Sequence, residues 1–302
     1  MQHYVDSRGP SWSDPGRARG GSRIFENQSL CAFKAFATHQ LQFDRQDESE
    51  FGLDGLDRGN VLHHCLNLLW QEIQSQSQLA SMNEVDRIRV IDGVINTALT
   101  DGKLALTGDK SVLLKHEVPR LQTILLDWLK IEDMRPMPFS VVEREERREG
   151  ELGGIRFRYI IDRVDVTEDG RSVVIDYKTG AVHRSDWIGD RLKSPQMPLY
   201  ALALDQAKRN PVSGIAYAQI KQGGSKYFEL SESNIFRNAS EKKQLEDTQL
   251  WQSNRAAWPQ IFSRLADDFL HGEASVDPID QQTCEYCKLQ SLCRISQLKA
   301  QS

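Results

Sequence analysis

The stretch Tyr159–Gly180 reads YIIDRVDVTEDGRSVVIDYKTG, and the rest of the chain is best read outward from it. Tyr159, Ile160, Ile161 and Val164 are strand formers. Glu168-Asp169-Gly170 supplies turn chemistry, and Val173-Val174-Ile175 opens a second strand, so the segment predicts a β-hairpin. Each strand carries a carboxylate that a hairpin does not need, Asp162 on the first and Asp176 on the second. Strand residues two apart share a face, so Asp176 and Lys178 lie together, and Asp162 can lie beside them across the hairpin. Two converging carboxylates repel each other unless a cation sits between them. A hard divalent ion with oxygen ligands is the natural resident. A lysine at the edge of that site would hold a hydroxide or offset charge on a developing phosphorane. The alternative is a surface hairpin with solvated charges.

The chain has 302 residues, enough for one large domain or two small ones. With 39% hydrophobic and 27% charged residues it suits a globular protein rather than a disordered one. No apolar run approaches membrane-spanning length, and the first residues lack the apolar core of a signal peptide, so a cytoplasmic location is expected. The net charge of −5 weighs mildly against a nucleic-acid ligand without excluding it, because basic residues can cluster locally. No G-x-x-x-x-G-K-[ST] phosphate loop occurs.

Residues 1–21 are rich in Gly, Pro, Ser and Arg and read as a flexible lead-in to a single domain over 22–302. Ser22–Phe43 reads as one helix, Asp44–Arg58 as a loop, and Gly59–Leu79 as a helix with His63 and His64 near its start. Glu84–Thr100 and Ser111–Ile131 are amphipathic helices that carry core packing and no chemistry. Phe139–Glu143 begins the sheet and leads through a charged turn, Arg144–Gly150, to the central hairpin; Glu143 there is a surface charge or a site residue. Beyond Lys178, SPQMPLYALALDQA is a helix with Gln196 and Tyr200 one turn apart on the same face. Val212–Ile220 and Lys226–Leu230 complete the sheet, and Glu241–Gly272 is a long helix whose aromatic residues are core or, less economically, base-stacking groups.

Five cysteines in a chain without an export signal argue for metal or cluster binding rather than disulfides. Cys284, Cys287 and Cys293 form C-x2-C-x5-C, one thiolate short of a tetrahedral site. Cys31 is the best fourth ligand, since Cys65 sits in the apolar stripe of a helix. By donor chemistry alone, zinc and an iron–sulfur cluster fit equally.

The motif IDRVD…IDYKTG resembles the PD-(D/E)xK nuclease superfamily, and specifically its RecB-like exonuclease branch. The resemblance spans about residues 22–295. It implies an α/β, restriction-endonuclease-like core: a mixed central sheet flanked by helices, with an N-terminal helical part and a C-terminal Cys cluster. It implies that Asp162 and Asp176 are metal ligands for Mg²⁺ or Mn²⁺ and that Lys178 is the catalytic lysine. Gly59…His63 is similar to the family's G-x-x-x-H element, which makes His63 a further ligand, with His64 the alternative. Gln196…Tyr200 resembles its Q-x-x-x-Y motif, whose residues contact DNA or shape the site. Glu143 resembles a glutamate on the strand before the first aspartate. QSLCAFKAF around Cys31 resembles the Q-x-x-C-P-F-x-x-F element of AddB-type nucleases, with Ala32 in place of proline. That likeness implies a [4Fe–4S] cluster on Cys31, Cys284, Cys287 and Cys293 joining the two ends of the domain. The implied activity is metal-dependent hydrolysis of DNA at free or single-stranded ends in repair or recombination, with any helicase a separate partner or a missing N-terminal region. A catalytically silent DNA-binding or scaffolding module of a helicase–nuclease complex is the alternative.

Overall fold

The computed structural model describes residues 7–12, 20–43, 54–101, 109–207, 210–232 and 235–296, with side chains of 109–114 excepted. The expected hairpin forms the centre of a five-stranded sheet, ordered β1 (Phe139–Leu152), β2 (Ile155–Thr167), β3 (Ser172–Lys178), β4 (Val212–Gln219) and β5 (Lys226–Ser231). The turn between β2 and β3 has Gly170 at φ 78°, a conformation that glycine adopts without penalty. β3 and β4 run parallel and the other neighbours antiparallel, so the sheet is mixed. A parallel pair needs a crossover, and the connection runs through a helix over Gln196–Gln206.

Helices cover both faces of the sheet. On one side lie Arg23–Leu30 (α1), Gln196–Gln206 (called α7 below) and the long Glu241–Leu270 (α8). Their Phe25, Leu199, Trp251, Trp258 and Phe262 share a core with Val174 and Ile215. On the other side lie Gly55–Glu72 (α3), Glu84–Thr100 (α5) and Asp109–Asp133 (α6), whose Leu62, Ile95 and Trp128 share a second core with Val173, Ile175 and Ala218. β4 is buried along its whole length for this reason, as strands covered on both faces are. The α8 aromatics Trp251, Trp258 and Phe262 are core residues. The architecture is the mixed, helix-flanked, restriction-endonuclease-like one that the sequence predicts.

Several boundaries differ. The single helix expected over Ser22–Phe43 breaks at Cys31, whose backbone is extended (φ −171°, ψ 123°) between α1 and a short α2 (Ala32–Ala35), with a π-helical turn over Phe36–Gln40. Ala32 is the first residue of α2, the position where proline is tolerated, so the Ala-for-Pro exchange leaves the break intact. α3 starts at Gly55, within the expected loop, because Asp54 and Asp57 form a reciprocal capping box; it ends at Glu72, and Gln76–Ser81 is a separate α4. Residues 44–53 of that loop lie outside the described residues.

The charged turn expected over Arg144–Gly150 is strand instead. β1 continues to Leu152 and reverses at Gly153 and Gly154, both at positive φ. Residues 146–152 pair only with 155–161, because the β2–β3 pairing begins at Arg163↔Ile175. This two-stranded ribbon has one side open to water, so charged residues occupy strand positions and mask the β pattern. Part of the lead-in is paired as well: Gly9 N–H donates to Gly272 O (2.7 Å) and Trp12 N–H to Leu270 O (2.8 Å). Gly272 sits at φ 76°, and a Cβ there would come within 2.3 Å of Gly9 O. Residues 1–6, 13–19 and 297–302 lie outside the described residues.

Candidate active site

Asp162 and Asp176 meet where β2 and β3 diverge. The ladder between the strands stops at Arg163↔Ile175, and the next contact is made by a side chain: Tyr177 N–H donates to Asp162 Oδ2 at 2.8 Å. The inward face of β2 changes phase here, since Ile161 and Val164 both enter the α1/α7/α8 core while Arg163 turns to the opposite side. Opposite Asp162 in the β1 register, Glu145 sits at φ 45° and accepts a hydrogen bond from Asn67 of α3 (2.9 Å). Local irregularity of this kind re-aims side chains out of a sheet.

On β3, alternation sends Val173, Ile175 and Tyr177 into the α3/α5/α6 core and leaves Asp176 and Lys178 together on the other face. Lys178 Nζ lies 2.5 Å from Asp176 Oδ2. The side-chain amide of Gln196 donates to Asp176 Oδ1 (3.4 Å) and to Tyr200 Oη (3.0 Å). Tyr200 stacks on Tyr159, ring centroids 5.2 Å apart. From α3, His63 Nδ1 reaches Asp162 Oδ2 at 3.3 Å. Thus His63, Asp162, Asp176, Lys178, Gln196 and Tyr200 are linked by side-chain contacts, apart from the step between the two aspartates, which is one of charge.

The two histidines divide as the residue order of a helix requires. His64 points about 100° away from His63 and hydrogen-bonds Asp101 (2.7 Å) while buried beside the core. A Cβ on Gly59 would sit 3.9 Å from Thr179 Oγ1, so α3 passes close to the end of β3 but an alanine would fit. Glu143 is buried and ion-paired with Arg148 at 2.7 Å.

Asp176 is only 3% exposed. Burial, and then the neighbouring charge of Asp162, push its carboxyl up to about 6 against the attraction of Lys178. Burial opposes the charge on Lys178, but Asp176 outweighs it and holds the ammonium above its ordinary value. Burial likewise opposes charging His63, and its hydrogen bond to Asp162 reverses the balance and raises it. A carboxylate this costly to ionise, within reach of a second carboxylate and an imidazole, has the donor set of a hard-cation site. Among the described residues no three His, Cys, Asp or Glu side chains stand at the spacing of a closed metal site. The Lys178 ammonium engages the Asp176 oxygen instead.

A second cluster of charges lies behind the hairpin, and sequence reading missed it. Arg163 pairs with Asp165 and Glu132 (both 2.6 Å), and Arg135 with Asp165 (2.6 Å) and Glu132 (3.2 Å), all four side chains fully buried. Tyr227 donates to Glu132 (2.7 Å), and the guanidinium of Arg163 lies 3.8 Å from the ring centre of Trp70. The available signal was Arg163 and Asp165 at alternate positions in the second half of β2, among Ile161, Val164 and Val166.

At the chain ends, Cys31, Cys284, Cys287 and Cys293 line one small cavity with Phe33, Val276 and Ile295. The break at Cys31 brings that thiol out of α1, and Phe33 N–H donates to Ser275 O (3.0 Å), tying α2 to the C-terminal segment. Cys65 is elsewhere, in the α3 core, with its thiol pushed up to about 12 by burial.

The model of the PD-(D/E)XK nuclease superfamily matches residues 25–294. The chain belongs to that superfamily. Membership carries phosphodiester hydrolysis as the reaction class and divalent ions such as Mg²⁺ as its usual helpers; it reaches the superfamily and not the iron–sulfur subtype. No curated protein matches the chain. Among solved structures it is similar to the one titled "Crystal structure of SSO0001", at 14% identity over 90% of this chain and 94% of the other, with a TM-score of 0.28, a likeness too low to carry an argument. Among the described residues no helix is long and apolar enough to cross a membrane.

Proposed function

We propose that this PD-(D/E)XK protein is a cytoplasmic Mg²⁺- or Mn²⁺-dependent deoxyribonuclease, an exonuclease acting on DNA ends in repair or recombination beside a separate helicase. The observation that carries the reading is the Asp176 carboxyl, raised by burial and then by the charge of Asp162, and contacted by both Lys178 and Gln196. His63, Asp162 and Asp176 would hold the ion, and a bound ion polarises a phosphate and lowers the pKa of water. Asp162 would be fixed for that role by the Tyr177 N–H and by His63. Lys178, kept protonated by Asp176, would offset charge growing on the phosphate oxygens. Gln196 and Tyr200 would orient Asp176 and the scissile strand.

Cys31, Cys284, Cys287 and Cys293 would hold a [4Fe–4S] cluster, with Zn²⁺ as the rival. The four thiols around one cavity support a thiolate-bound group of either kind. In the chain-entropy picture, a cross-link between sites this far apart stabilises by on the order of 5 kcal/mol. The test is degradation of end-labelled single- and double-stranded DNA with Mg²⁺ or Mn²⁺ by anaerobically purified protein, beside Asp176→Ala. Metal-dependent cleavage that the variant lacks supports the nuclease, and its product ladder gives exo or endo action. Equal activity in both proteins would remove Asp176 from the mechanism. Visible absorption and iron content, lost in Cys31→Ser, would separate the cluster from zinc.

A further inference from the structure

Lys178, Gln196 and Tyr200 form one end of an open cleft of about 850 Å³. One wall is the start of α1, with Ser22, Arg23 and Glu26; the other is the β1–β2 ribbon, with Arg147, Arg148, Glu149 and Arg158. The residues that line the cleft thus include five cationic ones against two acidic ones in a chain whose net charge is −5. The excess is available for a ligand. Arg23 and Arg147 are exposed and have no acidic partner among the described residues. The Arg158 side chain is 87% exposed and, among the described residues, pairs with the exposed Glu149 alone (3.0 Å), a contact of little strength in water. Arg148 is different: Glu143 (2.7 Å) and Glu146 (2.8 Å) hold it in place, so it stiffens the wall.

We propose that Arg23, Arg147 and Arg158 are a phosphate track that holds the backbone of one polynucleotide strand and leads it to Lys178. The proposal rests on the nuclease reading and assigns strand-positioning residues to it. Gly21 (φ 58°), just before α1, runs so close to the ribbon that a Cβ there would lie 2.7 Å from Arg158 O. A volume of this order encloses a drug-sized ligand. It accepts a few nucleotides of one strand and excludes a duplex, whose phosphates lie on the outside of a far wider cylinder.

The experiment uses the full chain and a fluorescein-labelled oligo-dT, with binding read by anisotropy from low to moderate salt without added divalent ion. Each phosphate contact on a single strand contributes about 0.7 to the slope of log affinity against log salt. Arg23→Ala/Arg147→Ala/Arg158→Ala is expected to lower that slope by about 2 and to weaken low-salt binding about ten-fold or more. The triple lysine variant is expected to restore most of the slope, because a point charge suffices for a phosphate. An unchanged slope in the alanine variant, or no rescue by lysine, overturns the track. So does a blunt duplex of equal length that binds the wild type as tightly as oligo-dT. Binding is read without catalysis, so these outcomes stand whether or not the wild type cleaves. Cleavage by the wild type, lost in Asp176→Ala, tests the nuclease reading separately.

Discussion

Two groups of charged side chains sit back to back on the same hairpin and obey opposite rules. Behind the sheet, Arg163, Arg135, Asp165 and Glu132 are buried in a closed set of two cations and two anions. In front, Asp162 and Asp176 face a single lysine and a histidine, and Asp176 keeps a carboxyl pushed up to about 6. Asp162 and Arg163 are neighbours in sequence, so the difference is made by the face each one takes. A closed set can be buried because every charge is neutralised within hydrogen-bond distance. An acidic excess can be buried only at a cost in stability, which a bound cation relieves. The first arrangement is a structural lock between α6 and β2. The second is the arrangement that a cation-binding site would require.

The comparison breaks most sharply in activity. Asp176→Asn is expected to lower metal-dependent cleavage by about 10³-fold or more while leaving the metal-free protein at least as stable as wild type, read by cleavage rate and urea unfolding. Asp165→Asn should do the reverse: it leaves two buried guanidinium groups short of charge and is expected to cost about 3–5 kcal/mol in urea unfolding. Loss of stability in the first variant and none in the second would show that the two groups have been assigned the wrong way round.

A pH series sharpens the same contrast. The unfolded Asp176 carboxyl releases its proton near the ordinary value of about 4, whereas the folded one holds it to about 6. The folded state therefore binds more protons between these values, and the Asp176 contribution to metal-free stability falls as pH rises through that window. Cation binding needs the ionised form, so the Mn²⁺-induced rise in melting temperature is expected to grow as pH climbs through about 6. A Mn²⁺ shift independent of pH across that range would place the cation elsewhere.

The smallest effects separate the two histidines. His64→Gln weakens a buried hydrogen bond to Asp101 and is expected to cost about 1–2 kcal/mol with the Mn²⁺ shift unchanged. His63→Gln is expected to leave metal-free stability within about 0.5 kcal/mol and to reduce the Mn²⁺ shift. An equal response of the two variants would sink the division of roles between them.

Much of the front face was legible because it obeys local rules. Alternation along β3 put Asp176 and Lys178 on one face, helical spacing put Gln196 under Tyr200, and turn chemistry located the β2–β3 reversal. The α5 boundaries, Glu84–Thr100, followed from its apolar stripe. Long-range effects defeated the same rules elsewhere. The extended backbone at Cys31 stands in a sequence that reads as helix because its partners, Ser275 and the C-terminal cysteines, are far along the chain. The strand through Arg144–Gly150 carries no apolar alternation, since its pairing with β2, and not burial, makes it a strand.

By itself the sequence determined the strands and helices that bury a periodic apolar face, the Asp162, Asp176 and Lys178 constellation, and the choice of superfamily. Local periodicity and one dense motif suffice for these. The tertiary structure alone decided that His64 turns to Asp101, that Arg163 and Asp165 turn away from the candidate site into a neutral cluster, and that scattered arginines line one cleft. Each of those depends on which groups from distant segments share a small space. Electrostatic neutrality and packing are properties of that space, and no stretch of the chain carries them alone.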